Sequence, residues 1–338
     1  MKAIYKPSSR AMAAMTPREL DDFLPEPLRS HLNELLPEII YIEPPLSDDE
    51  WRQALRTHQP EILICAWEAP PIPEEVAGFL KYVCYTCGSV RKLVPRELVK
   101  NGLLVTNWGS IISNTVAECA LLLTLSALRR VGNWSVDMRI NGAWKKGRHP
   151  DTLSLFERRV GLHGLGAISR ELIKLLQPFN VQISAYSPSV PDDTFKQLGV
   201  RRSESLEDLF STSDVLIELA PGKPENHHLV GEKLLRLLPD KAVFINVGRG
   251  MVVDEDALIR VCREKGLHVA LDVYETEPLP ADSPLRSLAN TTLLPHLGGP
   301  TPDRRRDCGQ LALDNLSNYL SGQPLTNLIT LDIYDRTT

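Results

Sequence analysis

Three ionisable side chains near the end of the chain could act together in one reaction. Arg249, Glu277 and His296 each stand a few residues beyond a short apolar run that is typical of a β-strand. In open α/β sheets ligands bind beyond the carboxyl ends of the strands, so these groups can converge. An arginine binds a carboxylate, an imidazole transfers a proton, and a carboxylate orients the imidazole. Each alone is more often a surface charge, and their shared position is what favours a site for a carboxylate-bearing carbonyl compound.

A glycine-rich turn stands between a strand-like run and a helix-like segment. The run at 160–163 continues directly into Gly164-Leu-Gly166. The apolar face of the segment that follows consists of Ile168, Leu172, Leu175 and Leu176. The glycines let the backbone approach a pyrophosphate, and the helix N-terminus supplies N–H donors and a positive dipole. A glycine triplet alone is weak evidence, but this context predicts a dinucleotide-binding turn with contacts from Gly164, Gly166, Ala167 and Ile168.

Two positions depart from the usual dinucleotide-binding pattern. Ser169 replaces the third glycine, so we expect slightly looser packing of the helix against the strand. Ser187 stands where an acidic residue would bind the adenine ribose, which removes the charge that repels a 2′-phosphate. No arginine follows immediately to attract that phosphate, and Arg201 and Arg202 lie downstream. We therefore favour NAD as the cofactor, with NADP or dual use as the alternative.

The alternation of runs and helix-length segments predicts an α/β fold. In the second half of the chain the runs at 160–163, 181–186, 215–219, 242–247, 268–273 and 292–294 predict a doubly wound, parallel, six-stranded sheet. In the first hundred residues the runs at 39–42, 61–67 and 82–85 predict a smaller alternating unit. A helix that begins at Ser47-Asp-Asp-Glu50 separates the first two of these. Prolines limit any long element in the first 30 residues.

A strongly apolar helix is predicted between the two halves. Thr115 and Glu118 match a capping box, and Arg129 and Gly132 match a helix end. Because this helix is apolar nearly all round, it must be covered either between two domains or between two subunits.

The composition predicts a two-domain protein that binds no nucleic acid and crosses no membrane. The 338 residues correspond to about two domains of ordinary length. Thirty-eight basic and 43 acidic side chains give a net charge of −5, without the basic surplus that nucleic-acid binding requires. The longest apolar stretch, 116–128, is too short to span a bilayer, and residues 1–16 lack the apolar core of a signal peptide. Six cysteines without a paired spacing favour a reducing compartment, and we expect the cytoplasm.

Several ordered motifs together resemble the D-isomer-specific 2-hydroxyacid dehydrogenase family. The similarity extends from roughly Thr86 to Tyr319, whereas the residues before it share only the α/β pattern. The motifs that carry the resemblance are Val160-Gly-Leu-His-Gly-Leu-Gly166, Phe244-Ile-Asn-Val-Gly-Arg-Gly-Met-Val-Val-Asp-Glu255, Leu271-Asp-Val-Tyr-Glu-Thr-Glu-Pro278 and Pro295-His-Leu-Gly-Gly299.

The resemblance implies a role for each ionisable group. Arg249 would bind the substrate carboxylate and carbonyl oxygen, and His296 would be the general acid of reduction and the general base of oxidation. Glu277 would hold the imidazole and favour its protonated form. Glu277 is implied rather than Glu275, because the acid next to Pro278 matches the family pattern. Hydride would pass between C2 of a 2-hydroxyacid or 2-oxoacid and the nicotinamide ring.

Further binding positions follow from the same resemblance. Additional cofactor contacts are implied at Ser187, Val247, Gly248, Asp272 and Gly298. The positions that match the family's substrate loop are Gly88, Ser89 and Val90. There the sequence departs from the family, because Arg91 and Lys92 replace an acid-containing run. We hypothesise that Arg91 favours a substrate with a second anionic group, with a solvated or interdomain charge as the alternative, and that Trp108 narrows the pocket.

The resemblance also implies how the chain is organised. A discontinuous, flavodoxin-like α/β substrate domain would comprise residues 1–113 and 306–338, and an NAD(P)-binding Rossmann domain would comprise residues 114–305. A homodimer is implied, with the apolar helix in or near its interface. The alternative function is that of a nucleotide sensor, like the corepressors that share this fold, because intact catalytic residues do not prove turnover.

Three other patterns are interpreted as structural. Cys84 and Cys87 form a C-x-x-C pair without a second pair or a histidine at zinc-finger spacing. His227 and His228 are interpreted as surface residues at a helix start, and 304–306 as a solvated basic face. No metal site is predicted.

Overall fold

The computed structural model describes residues 10–144 and 152–336. Two predictions lie partly outside the described residues. They are the absence of a signal peptide, which concerns residues 1–9 among others, and the last two residues of the predicted substrate domain. Among the described residues, no helix has both the length and the apolar character that crossing a bilayer would need.

The described chain divides into two compact units. The first contains residues 10–112 and 300–336, and the second contains residues 113–299. We predicted that the chain passes from the first unit to the second after residue 113 and returns after residue 305. The observed passage comes one residue earlier, and the observed return comes a few residues earlier. The return comes early because the turn Pro302–Arg304 leads directly into a helix of the first unit. The assignment of substrate binding to the discontinuous unit stays a prediction.

The first unit contains a parallel five-stranded sheet. Its strands are β1 (Ala11–Ala14), β2 (Ile40–Ile42), β3 (Ile62–Cys65), β4 (Tyr82–Tyr85) and β5 (Leu104–Thr106), in the order β2-β1-β3-β4-β5. The three predicted runs are confirmed as β2, β3 and β4. Strands β1 and β5 were not predicted, because Ala-Met-Ala-Ala has the composition of a helix and Leu-Val-Thr is very short.

Six α-helices accompany this sheet among the described residues. They are α1 (Pro17–Phe23), α2 (Leu28–Leu35), α3 (Asp48–His58), α4 (Arg96–Lys100), α12 (Arg305–Leu320) and α13 (Leu331–Arg336), numbered in chain order through both units. The predicted start of α3 is confirmed by a capping box. The backbone N–H of Glu50 donates to Ser47 Oγ, and the backbone N–H of Ser47 donates to the Glu50 carboxylate.

Helix α12 packs closely against α1 in the first unit. A Cβ atom added at Gly309 would lie 1.6 Å from the carbonyl oxygen of Phe23. The absence of a side chain at Gly309 is therefore what permits the close approach of α12 to α1.

Arg305, expected on a solvated face, is instead half-buried. It donates a hydrogen bond to Asp22 and lies 4.9 Å from the ring of Trp67.

The second unit contains a parallel seven-stranded sheet. Its strands are β6 (Arg159–His163), β7 (Gln182–Tyr186), β8 (Arg201–Arg202), β9 (Val215–Glu218), β10 (Val243–Asn246), β11 (His268–Leu271) and β12 (Thr291–Leu293). The order is β12-β11-β10-β9-β6-β7-β8. The doubly wound sheet and its six predicted strands are confirmed. The seventh strand, β8, was missed because two exposed arginines carry no apolar signal.

Seven helices accompany this sheet in the described residues. They are α5 (Ser113–Arg129), α6 (Val131–Arg139), α7 (Ala167–Leu176), α8 (Asp192–Leu198), α9 (Leu206–Thr212), α10 (Glu232–Leu235) and α11 (Glu255–Lys265). On α7, Leu172, Ile173 and Leu176 are buried, whereas Leu175, which was predicted on the apolar face, is exposed.

The predicted basic end of the apolar helix at Arg129 is confirmed, whereas its predicted capping box and glycine stop were wrong. Helix α5 begins at Ser113, so Thr115 and Glu118 lie inside its first turns rather than forming a capping box. Arg130, with a φ of 56°, separates α5 from α6. Gly132 does not end α5 but lies in α6, where a Cβ atom would come 2.6 Å from a backbone oxygen of β12. Close packing, rather than helix termination, accounts for this glycine.

Replacing Gly309 with alanine tests the close contact of α12. Alanine normally stabilises a helix by about 1 kcal/mol relative to glycine. Because the new methyl group would meet a backbone oxygen, we expect Gly309→Ala to lower the free energy of unfolding by about 1–3 kcal/mol. Urea unfolding followed by circular dichroism measures this change. Gly78→Ala is the control, since no atom lies within 4 Å of its added Cβ; equal stability of the two variants would contradict the packing argument.

Candidate active site

The predicted site residues of the second unit follow the carboxyl ends of its parallel strands. Gly164, Gly166, Ala167 and Ile168 follow β6; Ser187 follows β7; Val247, Gly248 and Arg249 follow β10; Asp272 and Glu277 follow β11; and His296 and Gly298 follow β12. Since the strands are parallel, these residues share one edge of the sheet.

His296 and Glu277 form a hydrogen-bonded pair at this edge. The imidazole Nδ1 lies 2.7 Å from Glu277 Oε2, and the other carboxylate oxygen accepts a 3.0 Å hydrogen bond from the backbone N–H of Tyr274. Both side chains are partly exposed. When Nδ1 donates to the carboxylate, Nε2 is the ring atom available to a substrate. The geometry thus provides an oriented imidazole with one reactive nitrogen.

A buried carboxylate fixes the loop that carries His296. The two oxygens of Asp272 accept hydrogen bonds of 2.7 and 2.8 Å from the backbone N–H groups of Leu297 and Gly298. Burial raises the pKa of Asp272, and the two backbone hydrogen bonds oppose that effect. His296 itself has a φ of 55°, which residues other than glycine seldom adopt. Asp272 therefore positions the histidine, and its predicted direct contact with a cofactor stays a prediction.

Arg249 is held by the residue that ends β10. The side-chain oxygen of Asn246 accepts a 3.0 Å hydrogen bond from Gly248 N–H, and its amide nitrogen donates to the Arg249 carbonyl at 3.2 Å. Burial lowers the pKa of the half-buried Arg249, and the negative charge of Glu277 opposes that effect. An arginine remains protonated at neutral pH under such shifts. Asn246 is a positioning residue that sequence reasoning missed, although an asparagine two residues before a glycine is a recognisable turn pattern.

The glycine turn after β6 fits a dinucleotide. Gly164 has a φ of 104°, and nothing lies within 4 Å of a Cβ atom built on Gly166, at the start of α7. Among the described residues, no side chain caps the N-terminus of this helix, so its first backbone N–H groups are available to bind an anion. Ser169 is buried and donates a 2.8 Å hydrogen bond to the Gly164 carbonyl. This bond stabilises the turn; the looser packing of the helix against the strand that we expected at Ser169 stays a prediction.

The end of β9 connects the glycine turn with the segment before Arg249. Cβ atoms added at Gly164 and Gly248 would each lie between 3.0 and 3.4 Å from backbone atoms at residues 218–220. Both glycines therefore pack against the same short piece of backbone. Any larger residue at either place would require the glycine turn or the Arg249 segment to move away from it by a few tenths of an ångström.

A buried ion pair, which sequence reasoning missed, lies next to the glycine turn. His163 Nδ1 lies 2.5 Å from Glu218 Oε2, and Glu218 also accepts a 2.7 Å hydrogen bond from the backbone N–H of Ala220. Both side chains are almost completely buried. Burial lowers the pKa of His163, but the charge and hydrogen bond of Glu218 outweigh it, so the pKa is raised. A glutamate inside an otherwise apolar strand was the available signal.

The arginines downstream of Ser187 already have acidic partners. Arg201 donates to Asp208 at 3.0 Å. Arg202 donates to Asp192, and its guanidinium lies 5.1 Å from the ring of Phe195. These contacts reduce the availability of both guanidinium groups for a 2′-phosphate.

The predicted substrate loop lies in the first unit, after β4. Asn107 Nδ2 donates a 2.7 Å hydrogen bond to the Gly88 carbonyl, and the ring of Trp108 covers Gly88 so closely that a Cβ atom would lie 2.7 Å from it. Ser89 is partly buried and Val90 is fully buried. The backbone of this loop is therefore held in one conformation by the segment after β5.

The hypothesis that Arg91 binds a second anionic group of the substrate is not supported. Its Nε donates a 3.1 Å hydrogen bond to the Tyr334 carbonyl, and its Nη2 donates to the carbonyl of Asp335. Arg91 thus holds the end of α13, where C-terminal carbonyl groups attract a cation. Charge at the sequence level could not reveal this contact, because the partners lie more than 200 residues away.

Comparisons with known proteins agree with this geometry. Residues 121–298, about half of the chain, match the model of the D-isomer specific 2-hydroxyacid dehydrogenase NAD binding domain. A glyoxylate reductase from Korarchaeum cryptofilum is 31% identical over 263 residues, which cover 77% of this chain and 79% of that protein. A hydroxyphenylpyruvate reductase from Plectranthus scutellarioides is 36% identical over 234 residues, which cover 68% of this chain and 72% of that protein.

The fold also matches a solved structure of the same kind. A crystal structure from a Polaromonas species, described as a D-isomer specific 2-hydroxyacid dehydrogenase, superposes with a TM-score of 0.77 at 26% identity and covers 94% of this chain and 99% of that one. The names of these relatives do not favour the alternative of a sensor without turnover. The chain belongs to the D-isomer specific 2-hydroxyacid dehydrogenase family and is an NAD(P)-dependent oxidoreductase of 2-hydroxyacids.

Proposed function

We propose that Arg249, Glu277 and His296 are the catalytic residues of this oxidoreductase. The 2.7 Å hydrogen bond between His296 Nδ1 and Glu277 carries the proposal, because it leaves Nε2 oriented for proton transfer. Arg249 is half-buried and electrostatically coupled to Glu277, so a guanidinium and an imidazole belong to one group of charges.

In the direction of reduction, the residues of this chain bind the 2-oxoacid and supply a proton. Arg249 binds the carboxylate and polarises the carbonyl oxygen. The nicotinamide cofactor, when bound, would supply the hydride for the reduction of C2. His296 donates its Nε2 proton to the carbonyl oxygen as that oxygen gains negative charge, and Glu277, hydrogen-bonded to Nδ1, orients the ring for this transfer. In oxidation the neutral imidazole accepts the proton instead.

The binding residues complete this arrangement. We propose that the backbone N–H groups of Gly88, Ser89 and Val90 contribute to the binding of the substrate carboxylate. The cofactor would be held by the turn Gly164, Gly166, Ala167 and Ile168 and by Ser187, Val247, Gly248, Asp272 and Gly298. Support comes from the open space at Gly166 and from its uncapped helix start.

Replacing the catalytic pair tests the proposed chemistry. We expect His296→Ala to lower kcat for reduction by about 10²- to 10⁴-fold, since general acid catalysis is lost. Glu277→Gln should lower kcat less, because the imidazole loses its charged partner but keeps its ring nitrogens. Steady-state rates with NADH and a panel of 2-oxoacids measure both effects. Asp282→Asn, an exposed residue of the following loop, is the control; a His296→Ala variant as active as this control would exclude the proposed role.

We also propose that the enzyme prefers NAD to NADP. Arg201 and Arg202 are already paired with Asp208 and Asp192, which leaves Ser187 without the arginine that a 2′-phosphate favours. The hydroxyl of Ser187 can bind a ribose hydroxyl but carries no charge.

A new acid at position 187 should sharpen the discrimination between the two cofactors. We expect Ser187→Asp to reduce kcat/KM with NADPH at least about tenfold, because like charges repel, and to change kcat/KM with NADH little. The matched control is Ser189→Asp, which adds the same charge at an exposed position two residues away. Equal losses in the two variants, or a wild type that uses NADPH better than NADH, would show the preference to be wrong.

We propose a homodimer from the exposed side chains of α5, of α6 and of Ile140, which follows α6. Leu122, Val136, Met138 and Ile140 are between 49% and 77% exposed, and they occur within one short stretch of the chain. A monomer seldom leaves such a group of apolar side chains exposed to solvent.

We also propose the cytoplasm as the location of the protein, as predicted from the spacing of the six cysteines.

The mass of the protein in solution tests the dimer. We expect light scattering to give the mass of two chains, and Ile140→Lys to shift the protein towards one chain at micromolar concentration. Leu237→Lys, at an exposed leucine elsewhere in the second unit, should leave the dimer intact. A wild-type protein with the mass of a single chain would rule the homodimer out.

A further inference from the structure

Two histidines and a glutamate that the proposed reaction does not use lie together in the second unit. His227 and His228 follow the turn Pro224–Asn226, well before α10, and therefore not at the helix start that the sequence suggested. Their rings stack with centroids 3.9 Å apart. His228 Nε2 lies 2.6 Å from Glu275 Oε1. One donor atom from each of the three residues lies within 4.8 Å of the others.

The backbone beneath these side chains is fixed by hydrogen bonds. The N–H of His228 donates to the Met251 carbonyl at 2.9 Å, and the N–H of His227 donates to the Pro224 carbonyl at 3.2 Å. The N–H of Glu275 donates to a Glu255 carboxylate oxygen at 2.6 Å. Because both backbone segments are held, the donor atoms stay near one another without a ligand, and only side-chain rotations are needed to adjust their separations.

The donor set matches the preferences of zinc. Two imidazoles and one carboxylate form a zinc site with a fourth position left for water, whereas magnesium and calcium prefer oxygen ligands alone. With zinc–ligand distances of about 2.0–2.2 Å, the donors of a tetrahedral site lie about 3.3 Å apart. The three donor atoms now lie within 4.8 Å of one another, so small movements of the side chains would bring them to these separations. The side chains of His228 and Glu275 are about one third exposed, so an ion can reach them.

We propose that His227, His228 and Glu275 form a binding site for a zinc ion. The hydrogen bond between His228 and Glu275 is the arrangement without the metal, and zinc replaces the shared proton. A structural hydrogen bond alone would explain two of the three residues but not the stacking of His227 beside them.

The site adjoins the proposed catalytic groups along the chain. Glu275 precedes Glu277 by two residues, and Met251, which accepts the His228 N–H, lies in the turn Gly250–Val252 that follows Arg249. Drawing Glu275 towards a metal shifts the segment that holds Glu277. A misplacement of about 1 Å at a catalytic group can cost about a hundredfold in rate. This regulatory consequence rests on the proposed function, whereas zinc binding itself does not.

Zinc binding is measured directly on the untagged, full-length protein. Equilibrium dialysis against zinc chloride should give one ion per chain at this site, unaffected by excess magnesium. His227→Ala, His228→Ala and Glu275→Gln should each weaken binding at least tenfold, with folding verified by circular dichroism. Glu275→Gln keeps a hydrogen-bonding partner for His228, so its loss of binding reports the ligand rather than the fold.

Controls separate this site from other zinc-binding groups. Glu225→Gln in the same loop and His31→Ala in the first unit should bind zinc as the wild type does. Cys119→Ser and His296→Ala remove a partly exposed thiol and the imidazole of the proposed catalytic pair, and both should retain the ion. Absence of wild-type binding, or equal binding by all three site variants, overturns the proposal.

Activity provides a separate readout for regulation. Zinc should lower kcat in the wild type and in Glu225→Gln but not in His227→Ala. If zinc binds at the site and the rate does not change, the regulatory consequence is wrong while the binding site stands. If no 2-oxoacid is reduced by any variant, the proposed function fails and the dialysis result still decides the binding site.

Discussion

The arrangement of His296 and Glu277, the proposed catalytic pair, depends on one buried carboxylate. Asp272 lies just beyond β11 and accepts the backbone N–H groups of Leu297 and Gly298. These bonds hold His296 in a left-handed conformation that costs roughly 1–3 kcal/mol when nothing compensates it. Hydrogen bonds to a charged acceptor are about twice as strong as neutral ones, so two of them can offset that cost. Without Asp272, the loop that carries His296 would lose both of these hydrogen bonds, and the contact with Glu277 would have less support from the backbone.

Arg249 depends on the same kind of support. Asn246, the last residue of β10, uses both ends of its amide to hold Gly248 and the Arg249 carbonyl. In each case a buried polar side chain at a strand end holds a loop by hydrogen bonds. Asn246 holds the loop that follows its own strand, and Asp272 holds the loop that follows the neighbouring strand β12. A proposed catalytic side chain belongs to each of these loops. Precision at the site thus comes from the sheet, since the reactive side chains are themselves partly exposed.

Much of the fold could be predicted from the sequence because apolar runs of parallel strands are distinct. Strand β8 carries no such signal, and the apolar pattern of α5 gave its extent but not its first residue. The position of the site at the carboxyl edge of the sheet could be predicted from the order of the strands, whereas the contacts that orient its side chains could not. Arg91 shows why: its partners, the carbonyls of Tyr334 and Asp335, are distant in the sequence, and a carbonyl acceptor has no residue type to recognise.

The buried pair of His163 and Glu218 has a consequence for how this chain can evolve. Removing one partner of such a pair leaves an uncompensated buried group and costs about 3–5 kcal/mol, which is a large share of an ordinary domain's stability. We therefore expect a change at either position alone to be selected against, and a joint replacement by two matched residues to be tolerated better. The two positions stand on different strands, so the constraint links parts of the chain that are 55 residues apart.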